Sequence, residues 1–145
     1  MEKLLHDILI PLHPKLVHFP IALFVTALFF EILSRLSKKD LLSKTAILIY
    51  CFAAIFTPVV VYSGLHEEMR IHLNHPVLTN HKNYAFLTMW ISLFSLPILW
   101  IILQRAQKAF KNFFLIVLII INLTVILTAY YGGKMVYEYS VGVGS

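Results

Sequence analysis

Three long uncharged runs dominate the chain, from Thr45 to His66, from Asn83 to Gln104 and from Asn112 to Gly133. Each holds about 22 residues, enough for a helix rising 1.5 Å per residue to cross about 30 Å of hydrocarbon. A fourth run, Leu16 to Phe30, stops early at Glu31, and continuing it to Leu36 gives a usable span. A carboxylate at the centre of a crossing costs about 2.5–3.5 kcal/mol, but Glu31 falls near the far end, one turn before Arg35, and is read as half of an interfacial ion pair. A cleaved signal peptide with Ile21 to Leu33 as its apolar region is the competing reading; Glu31 and the lack of a small-x-small cleavage site count against it. The pattern predicts an all-α integral membrane protein, one domain over residues 1–145. Its four-transmembrane-helix bundle has crossings at about 16–36, 43–65, 82–104 and 110–131. Pro58 and Pro97 lie inside the second and third, where neighbouring helices can satisfy the freed carbonyls. Ahead of the first crossing, Leu4, Leu5, Ile8, Leu9 and Leu12 share one helical face, which predicts a short N-terminal interfacial helix.

Composition sharpens this picture. Of 145 residues 59% are hydrophobic and 13% charged, with a mean hydropathy of +0.81, which excludes a water-solvated globule. The net charge of +5 raises nucleic acid as a partner, but the cations gather between the apolar runs rather than along one polar face, so the expected partner is the lipid bilayer. Arg35, Lys38, Lys39, Lys44, Arg105, Lys108 and Lys111 mark one side, against Lys3, Lys15, Arg70, Lys82 and Lys134 on the other. The positive-inside rule then puts both termini of this multi-pass chain outside. Tyr130, Tyr131, Tyr137 and Tyr139 fall where an interfacial aromatic belt belongs, and Gly132, Gly133, Gly142 and Gly144 loosen the chain there. The single cysteine, Cys51, forbids an internal disulfide, and no internal repeat stands out.

With that topology, all seven histidines fall at or near the outer face: His6, His13, His18, His66, His72, His75 and His81. Imidazole binds haem iron and transition metals, so this one-sidedness is the main chemical signal. His18 lies about one turn below the start of the first crossing, where an ionisable side chain is a functional candidate. His81 opens the third crossing, which runs in the same direction, so the two imidazoles share a depth and are the expected axial ligands of one haem b between helices. Lys15 and Lys82 flank them and are expected to meet the propionates. His13, ahead of Pro14, is expected above the bundle, bonded to a propionate or a neighbouring side chain. The competing reading of the pair is a buried histidine bonded to a neighbouring carbonyl or tyrosine. A second constellation, His66, Glu67, Glu68, His72 and His75, offers zinc or copper ligands, but its spacing fits no strong motif and a solvated polar loop is the preferred reading. Thr57, Ser63, Asn122 and Thr124 read as glue between helices, and Phe19, Phe24, Phe86 and Trp90 as candidate walls of a cofactor site. No phosphate loop, nucleophile triad or paired acid-base carboxylates support hydrolytic or phosphoryl-transfer chemistry.

The run His13-Pro14-Lys15-Leu16-Val17-His18-Phe19-Pro20-Ile21-Ala22-Leu23 resembles the opening of the small bacterial membrane proteins grouped as domain-of-unknown-function family 2231. Ser63-Gly64, His81 and the ending Gly132-Gly133-Lys134-Met135-Val136-Tyr137-Glu138-Tyr139 with Val141-Gly142-Val143 agree with it. The resemblance implies four transmembrane helices in a bacterial inner membrane and a redox setting, since some members are joined to or encoded beside cytochrome-like proteins. His13, His18 and His81 match family histidines, whereas Tyr130-Tyr131 stand where many members carry a histidine before the Gly-Gly. The sequence is thus read as a b-type cytochrome-like electron-transfer subunit working between a quinone or respiratory partner and an outer carrier, rather than as a stand-alone enzyme. The alternatives are a cofactor-free accessory subunit of a larger membrane complex and a histidine-rich metal-binding membrane protein.

Overall fold

The apolar runs fold as four helices, α1 Leu12–Ser37, α2 Asp40–Ile71, α3 Pro76–Arg105 and α4 Gln107–Tyr137. The computed structural model describes residues 12–71, 75–105 and 107–141, and no strand occurs among them. The expected interfacial helix lies outside the described residues. Each helix is long and apolar enough to cross a membrane. They overrun the uncharged runs because backbone hydrogen bonding does not stop where hydrophobicity does: α2 carries on through His66, Glu67 and Glu68, so a stretch expected as loop is helical. Phe29, Ile55, Phe94 and Ile126 are all exposed, an apolar exterior that matches hydrocarbon and not water.

Inside, the buried positions recur at alternating spacings of three and four. Along α1 they are Pro20, Phe24, Ala27, Glu31 and Ser34, and along α2 Ser43, Ala46, Tyr50, Ala53, Thr57 and Val60. Thr88, Ser92, Ser95 and Leu99 continue the pattern on α3, and Phe110, Phe114, Val117, Ile121, Thr124 and Thr128 on α4. A sustained repeat of this kind gives a left-handed bundle, and its many small and hydroxyl residues let the backbones approach closely. The hydroxyls are all satisfied within the bundle. Thr88 Oγ1 donates to Thr124 Oγ1 at 2.8 Å, Tyr50 Oη bonds to Ser95 Oγ, and Asn122 Nδ2 donates to the Phe24 carbonyl at 3.2 Å.

The helices pair as two hairpins. Contact along α1/α2 and along α3/α4 is extensive, and contact between the hairpins is much sparser, which leaves a seam between them. The first hairpin turns tightly at Lys38, whose φ of 55° is left-handed, with Ser34 Oγ donating to the Lys39 carbonyl at 3.0 Å. Close to this turn a polar clamp ties the hairpins together. Arg35 Nη1 donates to Asn112 Oδ1 at 3.3 Å, Arg35 Nη2 to the Lys111 carbonyl, and Lys111 Nζ lies 2.7 Å from Asp40 Oδ1. Glu31 pairs with Arg35 at 3.0 Å as expected, but it is fully buried rather than interfacial: its second oxygen points across to α2 and accepts from Ser43 Oγ at 2.7 Å.

Candidate functional site

At the end of the bundle away from that clamp, His13 heads the buried stripe of α1. Its Nδ1–H is shared between the Val60 carbonyl at 3.1 Å and Ser63 Oγ at 3.0 Å, while Ser63 Oγ itself donates to Val60 O. A carbonyl only accepts, so the proton sits on Nδ1 and Nε2 keeps its lone pair. On α3, His81 is held in the same manner, Nδ1–H donating to the Thr128 carbonyl at 2.9 Å. Both bonds span 47 residues and both run from the first two turns of one helix to the second half of the next. One turn beyond each accepting carbonyl lies a glycine against the ring. A β-carbon on Gly64 would meet His13 Cε1 at 2.9 Å, and one on Gly132 would meet His81 Cε1 at 3.2 Å. The two hairpins therefore repeat one arrangement at a constant offset along the chain, 13 to 81, 60 to 128 and 64 to 132. It is a near-symmetric pair of imidazole cradles facing each other across the seam.

The two rings stand 6.2 Å apart between centroids with their planes 87° to each other. Among the described residues neither Nε2 has a partner and no buried side-chain nitrogen or oxygen is left unsatisfied, so both open onto free space. That space is two cavities of about 70 and about 60 Å³, each lined by both histidines together with Val61 and Ala85. The deeper one is walled by Val17, Pro20, Phe24, Val125, Thr57 and Thr88. The other reaches the end of the bundle, where Glu67, Glu68 and Lys82 line it.

A family model described as predicted membrane protein (DUF2231) matches residues 9–145. The chain belongs to this family. No curated protein and no solved structure gives a match.

On the DUF2231 opening motif, the two histidines part company. His13, expected above the bundle, faces inward, whereas His18 is exposed, lines neither cavity, and bonds through Nδ1 to the Pro14 carbonyl at 2.7 Å. The expected pairing of His18 with His81 is therefore not the pairing in the structure; five residues along a helix turn a side chain by about 140°, off the stripe that carries His13. Phe24 and Phe86 line the cavities, while Phe19 packs on Phe56 and Trp90 on Phe94, both away from them. Lys82 reaches the site and Lys15 lines neither cavity. In the second constellation His66 is exposed on α2, and His72 lies outside the described residues. His75 caps α3, accepting the Val77 N–H at 3.2 Å on Nδ1, with its ring 4.4 Å from that of Tyr139. No group of three metal-ligating side chains occurs among the described residues. The roles of Gly64, Gly132 and the two carbonyls were not anticipated, although the equal intervals from His13 to Gly64 and from His81 to Gly132 are visible in the sequence.

Proposed function

We propose that the protein is a b-type cytochrome-like electron-transfer subunit of a bacterial inner membrane, and that its axial ligands are His13 and His81. One observation carries this reading: two imidazoles, each anchored through Nδ1 to a helix carbonyl, offer free Nε2 atoms to a shared space at a centroid separation of 6.2 Å. Two metal–nitrogen bonds of about 2 Å each, plus half a ring on either side, give about 6 Å. The carbonyl partners fix the tautomer and ring orientation and raise the basicity of Nε2, the usual outer-shell support of a ligating histidine. Two nitrogen donors without a third acidic or thiol ligand suit an axial pair better than a tetrahedral zinc site. The space between the donors lies at the seam, and Val17, Phe24 and Val125 give it an apolar wall. The two cavities are smaller than a porphyrin, so seating one requires the hairpins to part at this end, where contact between them is sparse. When bound, the haem supplies a one-electron change at iron, with a potential set by the ligands and by burial. With the histidine end outside, as the positive-inside rule favours, electrons would pass between a quinone or respiratory partner and an outer carrier.

A second reading is favoured by the cavity volumes. A single copper ion held between the same two nitrogens needs no parting of the hairpins, and imidazole suits copper well. The deciding experiment is the absorption spectrum and metal content of detergent-solubilised protein produced with excess haem and copper. A Soret band with resolved low-spin visible bands is expected. Stoichiometric copper without a Soret band selects the second reading, and neither of them leaves the accessory-subunit role and overturns the proposal.

A further inference from the structure

The constant offset that relates His13 to His81 and Gly64 to Gly132 also relates Glu67 on α2 to Met135 on α4. Each lies three residues beyond its glycine, on the same side of the helix, and both line the mouth cavity together with the two imidazoles. One cradle is therefore followed by a carboxylate and the other by a thioether. Met135 is half-buried, and its carbonyl accepts the Val141 N–H at 3.0 Å, which folds the segment after α4 back against the same cavity. Apart from the imidazoles, the ionisable side chains lining this cavity are Glu67, Glu68 and Lys82, a surplus of one negative charge. Glu68 is paired with Lys82 at 2.6 Å, so the surplus falls on Glu67. The deeper cavity has no ionisable side chain in its wall except the same two histidines.

Resting on the copper reading above and going beyond it, we propose that the ion is monovalent, a Cu(I) centre held by His13 Nε2 and His81 Nε2 with the Met135 thioether as a third, soft ligand. Zinc takes a closed set of four ligands and Cu(II) a tetragonal set of nitrogen and oxygen, whereas d10 Cu(I) accepts two or three. No third imidazole, thiol or carboxylate joins the pair among the described residues, and thioether sulfur selects Cu(I). Charge points the same way. Desolvation rises with the square of the charge, so a monovalent ion against the apolar wall costs about a quarter of what a divalent one does. The one surplus negative charge at the mouth balances one positive charge and not two. Both imidazoles already carry their proton on Nδ1, so the ion enters without displacing one. The centroid separation of 6.2 Å accommodates metal–nitrogen bonds of about 2 Å, and a cavity of about 70 Å³ holds a single ion with the hairpins as they stand.

The test is an anaerobic titration of the whole chain in detergent with Cu(I) against a chromophoric Cu(I) chelator, with Ag(I), Cu(II) and Zn(II) titrated in parallel. X-ray absorption of the copper-loaded protein counts the neighbours of the ion. One equivalent of Cu(I) or Ag(I) is expected, bound about a hundredfold more tightly than Zn(II) or Cu(II), with two nitrogen neighbours and one sulfur. Met135→Leu conserves side-chain volume, and should lose the sulfur neighbour and weaken Cu(I) binding about tenfold. His13→Ala and His81→Ala should each abolish stoichiometric binding, and His18→Ala should leave it unchanged. Copper bound only as Cu(II), or Cu(I) bound without a sulfur neighbour and unaffected by Met135→Leu, overturns the monovalent thioether site and keeps the copper reading. No copper in either oxidation state removes both. Undiminished Cu(I) affinity in His13→Ala and His81→Ala places the ion elsewhere and overturns the site.

Discussion

His13 and His81 each pack closely against the backbone of a glycine, Gly64 and Gly132. Gly64→Ala would put a β-carbon 2.9 Å from His13 Cε1, and the ring cannot swing aside without losing its bonds to Val60 and Ser63. We expect a destabilisation of about 1–3 kcal/mol and a weakened low-spin spectrum. Gly132→Ala, whose β-carbon would stand 3.2 Å from His81 Cε1, should do the same more mildly. Chemical unfolding and hemin titration of the two variants measure the difference; a Gly64→Ala protein identical to the wild type in both would show that the cradle is not rigid. At this scale the sequence was informative about which residue types matter and at which depth, but not about which way they point. Depth alone favoured His18. The spans are apolar on every side, so hydropathy does not mark the buried face, and the stripe through Pro20, Phe24, Ala27, Glu31 and Ser34 emerges only from packing.

Among the elements, α1 depends on one buried charge. Glu31 is enclosed and satisfied by Arg35 and Ser43, whereas the Arg35 side chain stays 33% exposed and also reaches Asn112 and the Lys111 carbonyl. Removing the cation strands a buried carboxylate, so Arg35→Ala should cost about 2–3 kcal/mol, discounted from the fully buried case for the exposure of Arg35. Glu31→Gln keeps the shape and a hydrogen-bonding group, and should cost about half as much. Unfolding of both variants in mixed micelles checks the order; a larger loss for Glu31→Gln would mean that the carboxylate itself, and not its neutralisation, holds the helices. The existence and order of the four helices were legible because long apolar runs admit little else in a bilayer. Their ends were not, because polar residues such as Glu67 and Glu68 continue a helix freely once it leaves the hydrocarbon.

For the whole molecule, the two hairpins repeat one arrangement, each presenting one imidazole to a common seam that is bridged by the Arg35 and Lys111 clamp at one end and by the Glu68–Lys82 ion pair at the other. That relation escaped the sequence reading because the copies share only a histidine, a carbonyl position and a glycine, with the intervening apolar residues free to vary. On the proposed haem reading, both imidazoles would bind one iron. Rings set at 87° would leave the two higher dπ orbitals of an iron held between them nearly degenerate, so the haem-loaded ferric protein should give a low-spin electron paramagnetic resonance signal dominated by one large-g feature. The most direct measurement is that spectrum for the haem-loaded wild type, His13→Ala and His18→Ala. The account predicts the large-g signal in the wild type and in His18→Ala, and its conversion to a high-spin signal in His13→Ala. A low-spin signal that survives in His13→Ala and disappears in His18→Ala contradicts it.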